Sequence, residues 1–258
     1  MKIQIQIEGT FFTADLSKAI DLSIPYAHKK GVKAWHVEDF SVNPVVSGDF
    51  IGSIKKGAPV NFMNVQFNLH GNGTHTECLA HISDEDTDIH TVLKHSFFKA
   101  ILISVTPEIA NSNHSNCQAG DLIITKKQIE SLCDFSLNPN AIIVRTLPNG
   151  KEKMIHDYSG TNPPYFLSET IAYLTENGID HILCDLPSVD REQDGGKVQS
   201  HHVFWNYPEK PALHRTITEL IYVPNEVKDG QYLLNLQIAP FKLDATPSRP
   251  LIFRLKTE

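Results

Sequence analysis

This sequence predicts an α/β fold organised as one strand-rich domain over residues 1–258, and three observations carry that expectation. Short apolar runs rich in β-branched residues recur from one end of the chain to the other. Helix signals are confined to two stretches. No repeat, low-complexity tract or convincing linker divides the chain.

Taken in order, "IQIQI" sets Ile3, Ile5 and Ile7 on one face of a half-buried strand, and "NVQFNL" does the same with Val65, Phe67 and Leu69. Runs of strand length follow at 100–105 (AILISV), 122–125 (LIIT), 141–146 (AIIVRT), 181–185 (HILCD), 219–223 (ELIYV), 232–238 (YLLNLQI) and 251–255 (LIFRL). The two helices are expected at 126–132 (KKQIESL) and in "SETIAYLTENG". In the second, Ser168 is expected to cap, Ile171 and Leu174 to share a face, and Gly178 to stop the helix. Segments 107–118 and 187–200 read as polar or turn-rich loops.

Charge and hydropathy exclude whole classes of function. A formal net charge of -7 argues against a binder of the phosphate backbone, so no nucleic-acid partner is expected. No apolar run approaches the ~20 residues that span a bilayer, and the N-terminus alternates instead of building a signal-peptide core. A cytoplasmic protein without a membrane partner is the expectation. Cys78, Cys117, Cys133 and Cys184 lack CxxC spacing and are expected to be thiols.

The stretch "HGNGTHTECLAH" gathers His70, His75, Glu77 and His81 behind a turn, because "GNG" is a strong turn signal in which glycine accepts positive φ. If the chain resumes extended, His75 and Glu77 project from one strand face at period two, and His81 can return to the same side. Imidazole and carboxylate without thiolate suit a catalytic Zn, Mn or Fe with open positions rather than a closed structural zinc. The spacing is not that of a helical HExxH site.

A second cluster lies downstream. "SHHVFW" offers His201 and His202, and Glu219 sits in an apolar run with Ile217, Ile221 and Val223 expected on its own face. A carboxylate buried there needs a cation or donors.

With these residues in view, the sequence resembles the cyclase-like metal-dependent hydrolases, the family that contains bacterial kynurenine formamidase and isatin hydrolase. The resemblance is carried by "GTHTECLAH", and more weakly by "DLSIP" (21–25), "DLPSVD" (185–190), "HHVFW", Glu219 and "DATPSRP" (244–250), nearly the whole chain. It implies a swivelling β/β/α fold. It also implies one or two divalent ions, Zn or Mn, with His75 on the first, His201 on the second, and Glu77 and Glu219 binding or bridging. His81 falls at the family's proton-transferring histidine, and Trp35 lies where the formamidases place a substrate-contacting tryptophan. Glu77 replaces the usual Asp, Leu79 stands where the family has Pro, and His70 lies one place before the family's first histidine. His70 is expected to reach the metal all the same, through a bulge at "GNG". Members are commonly dimers or tetramers, so a homodimer or homotetramer is expected.

The expected activity is hydrolysis of a small-molecule amide, formamide, lactam or lactone, of the arylformamidase type, with metal-activated water and His81 as general acid and base. Two other readings share these residues: a non-catalytic metal-binding or interaction protein on the same fold, and a ring-closing or isomerising enzyme.

Overall fold

The computed structural model of the protein describes residues 1–111, 114 and 117–257. Its centre is a sheet that closes on itself. Among the described residues seven strands close the ring, β1 (His75–Glu77), β2 (Phe97–Val105), β3 (Ala141–Thr146), β4 (His181–Cys184), β5 (Thr216–Glu219), β6 (Gly230–Ile238) and β7 (Ala245–Arg254), and Ile20–Asp21 adds an eighth along β7. Around the ring they run β6, β2, β3, β4, β5, β1, β7, and β7 returns to β6 over a register from Tyr232 opposite Arg254 to Ile238 opposite Ser248. Strands β2 to β5 are mutually parallel, and the remaining pairings are antiparallel.

The parallel arc is covered on both faces, which is why its strands read as continuous apolar runs rather than alternating ones. Ala100, Leu102, Ala141, Ile143 and Leu183 point into the barrel, where they meet Tyr232, Leu234 and Ile252. Ile101, Ile103, Ile142, Val144 and Ile182 point outward onto three helices, α1 (Lys126–Leu132), α2 (Ser168–Glu176) and α3 (Gln199–Trp205). These contribute Ile129, Ile171 and Leu174, and Phe204 and Trp205 respectively. The strand-rich α/β architecture expected from sequence is the one observed. All four cysteines are free thiols.

Several local expectations are corrected. The run 64–69 is strand only over Met63–Gln66, and it pairs with Ser41–Pro44 in an exposed ribbon where Val65 faces solvent. The run 219–223 breaks after Glu219, because Leu220 adopts φ 53° and reverses the alternation. Ile217 therefore stays on the outer face, whereas Ile221 and Val223 enter the barrel. Ser168 is the first residue of α2 and not its cap; Leu167 precedes the helix without a side-chain bond. Thr125 caps α1 with a reciprocal bond from Gln128, which the sequence had not singled out. The expected loop 107–118 contains a short strand, Glu108–Ile109, and its residues 112, 113, 115 and 116 lie outside the described residues. The expected loop 187–200 gives way to α3 at Gln199.

Candidate metal centre

Glu77 on β1 is directly opposite Ile217 on β5, and His75 is opposite Glu219. Directly paired residues share a face, so both β1 side chains and Glu219 lie with Ile217 on the outer side of the barrel. Thr76 points the other way and pairs its hydroxyl with Thr218 at 2.8 Å. The expected period-two projection of His75 and Glu77 is thus realised by a three-residue strand.

The turn before it is built by close approach. Asn68 Oδ1 accepts from the backbone N–H groups of His70 and Gly71 at 2.9 and 3.0 Å. Neither Gly71 nor Gly73 adopts the positive φ expected of them. A Cβ on Gly71 would meet Val37 at 2.7 Å and Ala34 O at 3.0 Å, and one on Gly73 would meet the Tyr26 ring at 2.7 Å. Glycine is needed here for space.

Three imidazoles converge on Glu77, whose side chain is fully buried, and a fourth lies against Glu219. His201 Nε2 lies 3.0 Å from Oε1, while His70 Nδ1 and His81 Nε2 lie 3.1 and 3.7 Å from Oε2. His75 Nε2 is 3.5 Å from Glu219 Oε2. Two donor groups result, one of His70, Glu77 and His81, the other of His75, Glu77 and Glu219, each with its ligand atoms within 4.8 Å of one another. Glu77 belongs to both.

Backbone and carboxylate anchors orient these rings. His75 Nδ1 donates to Gly73 O at 3.1 Å, and His201 Nδ1 donates to Asp190 Oδ2 at 2.6 Å. Anchoring one ring nitrogen leaves Nε2 as the lone-pair nitrogen of the neutral ring, the arrangement that precedes metal ligation. Asp190 also accepts from Ser200 N and His201 N, at 2.7 and 3.1 Å, and so pins the start of α3. His202 points elsewhere, its Nδ1 donating to Tyr207 O at 3.1 Å.

The electrostatics are those of an acid cluster filled by protons. Burial alone would raise the Glu77 carboxyl, yet His81, His201 and His70 hold it well below the usual range. Glu219 is raised by burial and by the charge of Glu77. Against the cost of its burial, Asp244 and Glu77 push His70 up to about 10. His201 is likewise raised against burial, by Asp190 and Glu77. A divalent ion could replace these protons. Two atoms favour that exchange: His75 Nε2 is buried without a hydrogen bond, and Glu77 Oε2 has none of good geometry, although His70 Nδ1 lies 3.1 Å away; poorly paired buried polar groups are costly. The all-N/O donor set, with shared carboxylate and anchored imidazoles, fits a divalent transition ion.

A family model, "Putative cyclase", matches residues 20–191. The chain belongs to the cyclase family. No curated protein matches it significantly by sequence. Among solved structures it is similar to a potential metal-dependent hydrolase with cyclase activity, at 16% identity and TM-score 0.62, covering 92% of this chain and 97% of that one. A predicted metal-dependent hydrolase from Bacillus stearothermophilus gives 16% identity and TM-score 0.60, with 92% and 98% covered. Isatin hydrolase A from Labrenzia aggregata, bound to benzyl benzoate, gives 13% and 0.62, with 93% and 94% covered. At such identities the likeness is one of fold.

Within this cyclase-family frame, the structure brings together His70, His75, Glu77, His81, His201 and Glu219. Trp35 is nearby, on the wall of a cavity of about 320 Å³ that His70, His81 and His201 also line. Trp35 and His36 both hold positive φ, 61° and 54°, and the turn is tied down where His36 N donates to Ser159 Oγ at 2.9 Å. Backbone held in so sparsely populated a region clusters at ligand sites. Sequence reasoning missed two residues, Asp190 and Asp244. Each stands in a segment singled out for its resemblance, and neither carries a local signal of its histidine partner, which lies 11 residues away for Asp190 and 163 or 174 for Asp244.

Proposed function

We propose that the protein is a metal-dependent hydrolase of a small amide, formamide, lactam or lactone. The observation that carries this reading is Glu77, a fully buried carboxylate shared by two donor groups, whose neighbours His70, His81 and Glu219 line a cavity. His75, Glu77 and Glu219 would hold one ion. Glu77 and His70 would hold a second together with His201, whose Nε2 is 3.0 Å from Glu77 Oε1, while His81, the third member of that donor group, is reserved for proton transfer. When bound, a divalent ion of the Zn or Mn type polarises a carbonyl and acidifies water.

The chain's own residues supply the rest. Asp190 and Gly73 O keep the His201 and His75 rings aimed inward. Trp35, Val37, Pro187 and Val198 give the cavity an apolar wall suited to a small organic substrate. His81 lines the cavity with its Nε2 3.7 Å from Glu77 Oε2, and there it can take a proton from water and return it to the leaving nitrogen or oxygen. The name isatin hydrolase on a structural neighbour supports cyclic amides as first candidates. A screen of formamides, lactams and lactones, begun with N-formylkynurenine and isatin, tests the reading. Turnover should be abolished by chelation and restored by Zn or Mn; activity indifferent to chelation would contradict it. His81→Asn should keep the metal while lowering turnover ~10²-fold or more.

A homodimer or homotetramer belongs to the same reading. The ribbon around 41–66 exposes Val46, Ile54, Val60, Phe62 and Val65, apolar side chains that a subunit interface would cover. Light scattering of the purified protein tests it, and a monomer at micromolar concentration would overturn it.

A further inference from the structure

We infer that Asp244 is a positioning residue for His81, fixing its ring with the proton on Nδ1 so that Nε2 is the free base facing the cavity. The inference rests on the hydrolase reading for its consequence, although not for its geometry. Asp244 immediately precedes β7, and its carbonyl accepts from Cys78 N at 3.0 Å. That bond ties it to the backbone three residues before His81.

One oxygen of the carboxylate serves two rings. Asp244 Oδ2 is 3.3 Å from His81 Nδ1 and 2.9 Å from His70 Nε2. Those rings stack, with centroids 4.2 Å apart and planes 28° from parallel. An ionised carboxylate only accepts, so each ring nitrogen facing it must donate. His81 consequently carries its proton on Nδ1; its Nε2 lies 3.7 Å from Glu77 Oε2, too far to donate to it, and is left as the lone-pair nitrogen. An orienting carboxylate behind a proton-transferring imidazole fixes the tautomer and stabilises the charged ring formed when the proton arrives.

Asp244 touches His70 as well, and a purely structural role through His70 is the rival account. The two differ in what Asp244→Asn does to the tautomer and to His81-dependent turnover. An asparagine amide can turn its NH₂ toward Nδ1 and favour the wrong tautomer. In the zinc-reconstituted protein, long-range proton–nitrogen NMR should show His81 protonated on Nδ1, with the Nε2-protonated form gaining in Asp244→Asn. Wild-type His81 protonated on Nε2 would overturn the proposal whatever the activity, and needs no folded variant.

With a substrate from the screen, Asp244→Asn should lower kcat by ~10- to 100-fold, with KM within about threefold of wild type. Asp244→Glu should recover most of the loss. In a His81→Asn background, Asp244→Asn should cost nothing further, because residues acting as one unit are non-additive. Fully additive losses would mean that Asp244 acts other than through His81. If no substrate is turned over, the hydrolase reading fails, whereas the NMR result still decides the tautomer.

Discussion

At the scale of single residues, the centre depends on how its histidines are held. Asp190 is the clearest case: it accepts from His201 Nδ1 at 2.6 Å and from two backbone N–H groups at the start of α3. Burial works against its ionisation, but His201 keeps the carboxyl below the ordinary range. Replacing it by Asn keeps the shape while weakening the charge-assisted bond, so His201 should lose its fixed orientation. We expect Asp190→Asn to bind the metal ~10- to 100-fold more weakly, the size typical of outer carboxylates behind ligating histidines. Competition titration against a chelator measures this, and unchanged affinity would remove His201 from the ligand set. Asp190 was invisible as a partner in the sequence because ten residues, eight of them a loop, separate it from His201. Glu77 and His75 were legible because a spacing of two on a strand is a local property.

The same contrast holds for whole elements. Strands β2, β3 and β4 could be read directly, since burial on both faces leaves an unbroken apolar run. Helix α3 could not be read, although it carries His201. Its first N–H groups are satisfied by Asp190 from outside the helix, and the residue before it, Val198, has φ 37° rather than a capping conformation. The break at Leu220 was equally hidden, for a leucine gives no warning of positive φ. The turn leading into β1 yields an element-scale prediction. Tyr26, which a Gly73 Cβ would strike, is packed against Phe67 and Phe40 at ring separations of 4.9 and 6.2 Å and cannot move aside freely. Gly73→Ala should therefore destabilise the protein by roughly 1–3 kcal/mol, the usual cost of overpacking. Urea denaturation measures it, and a midpoint equal to wild type would show that the turn relaxes.

For the molecule as a whole, the closed barrel couples distant segments, so its stability responds to groups far from the centre. His181 begins β4, bonds Thr216 Oγ1 through Nδ1 at 2.8 Å and packs on Phe98. Burial lowers its pKa from the ordinary 6.5 to about 4. The unfolded chain then takes up a proton near pH 6.5 that the folded chain refuses, so this contribution is complete above pH 6.5 and is lost as pH falls toward 4. Between pH 7 and 5 the loss should be about 2 kcal/mol. Denaturation of wild type and His181→Gln at both pH values tests it; equal pH dependence would assign the loss elsewhere. On the proposed reading the barrel's outer face holds a divalent ion through Glu77, the residue common to both donor groups. Elemental analysis of the purified protein and of its Glu77→Ala variant, after identical exposure to Zn and Mn, tests it most directly. The wild type should retain one or two ions per chain and the variant almost none, whereas equal metal content in the two, or a wild type that retains none, would contradict the claim.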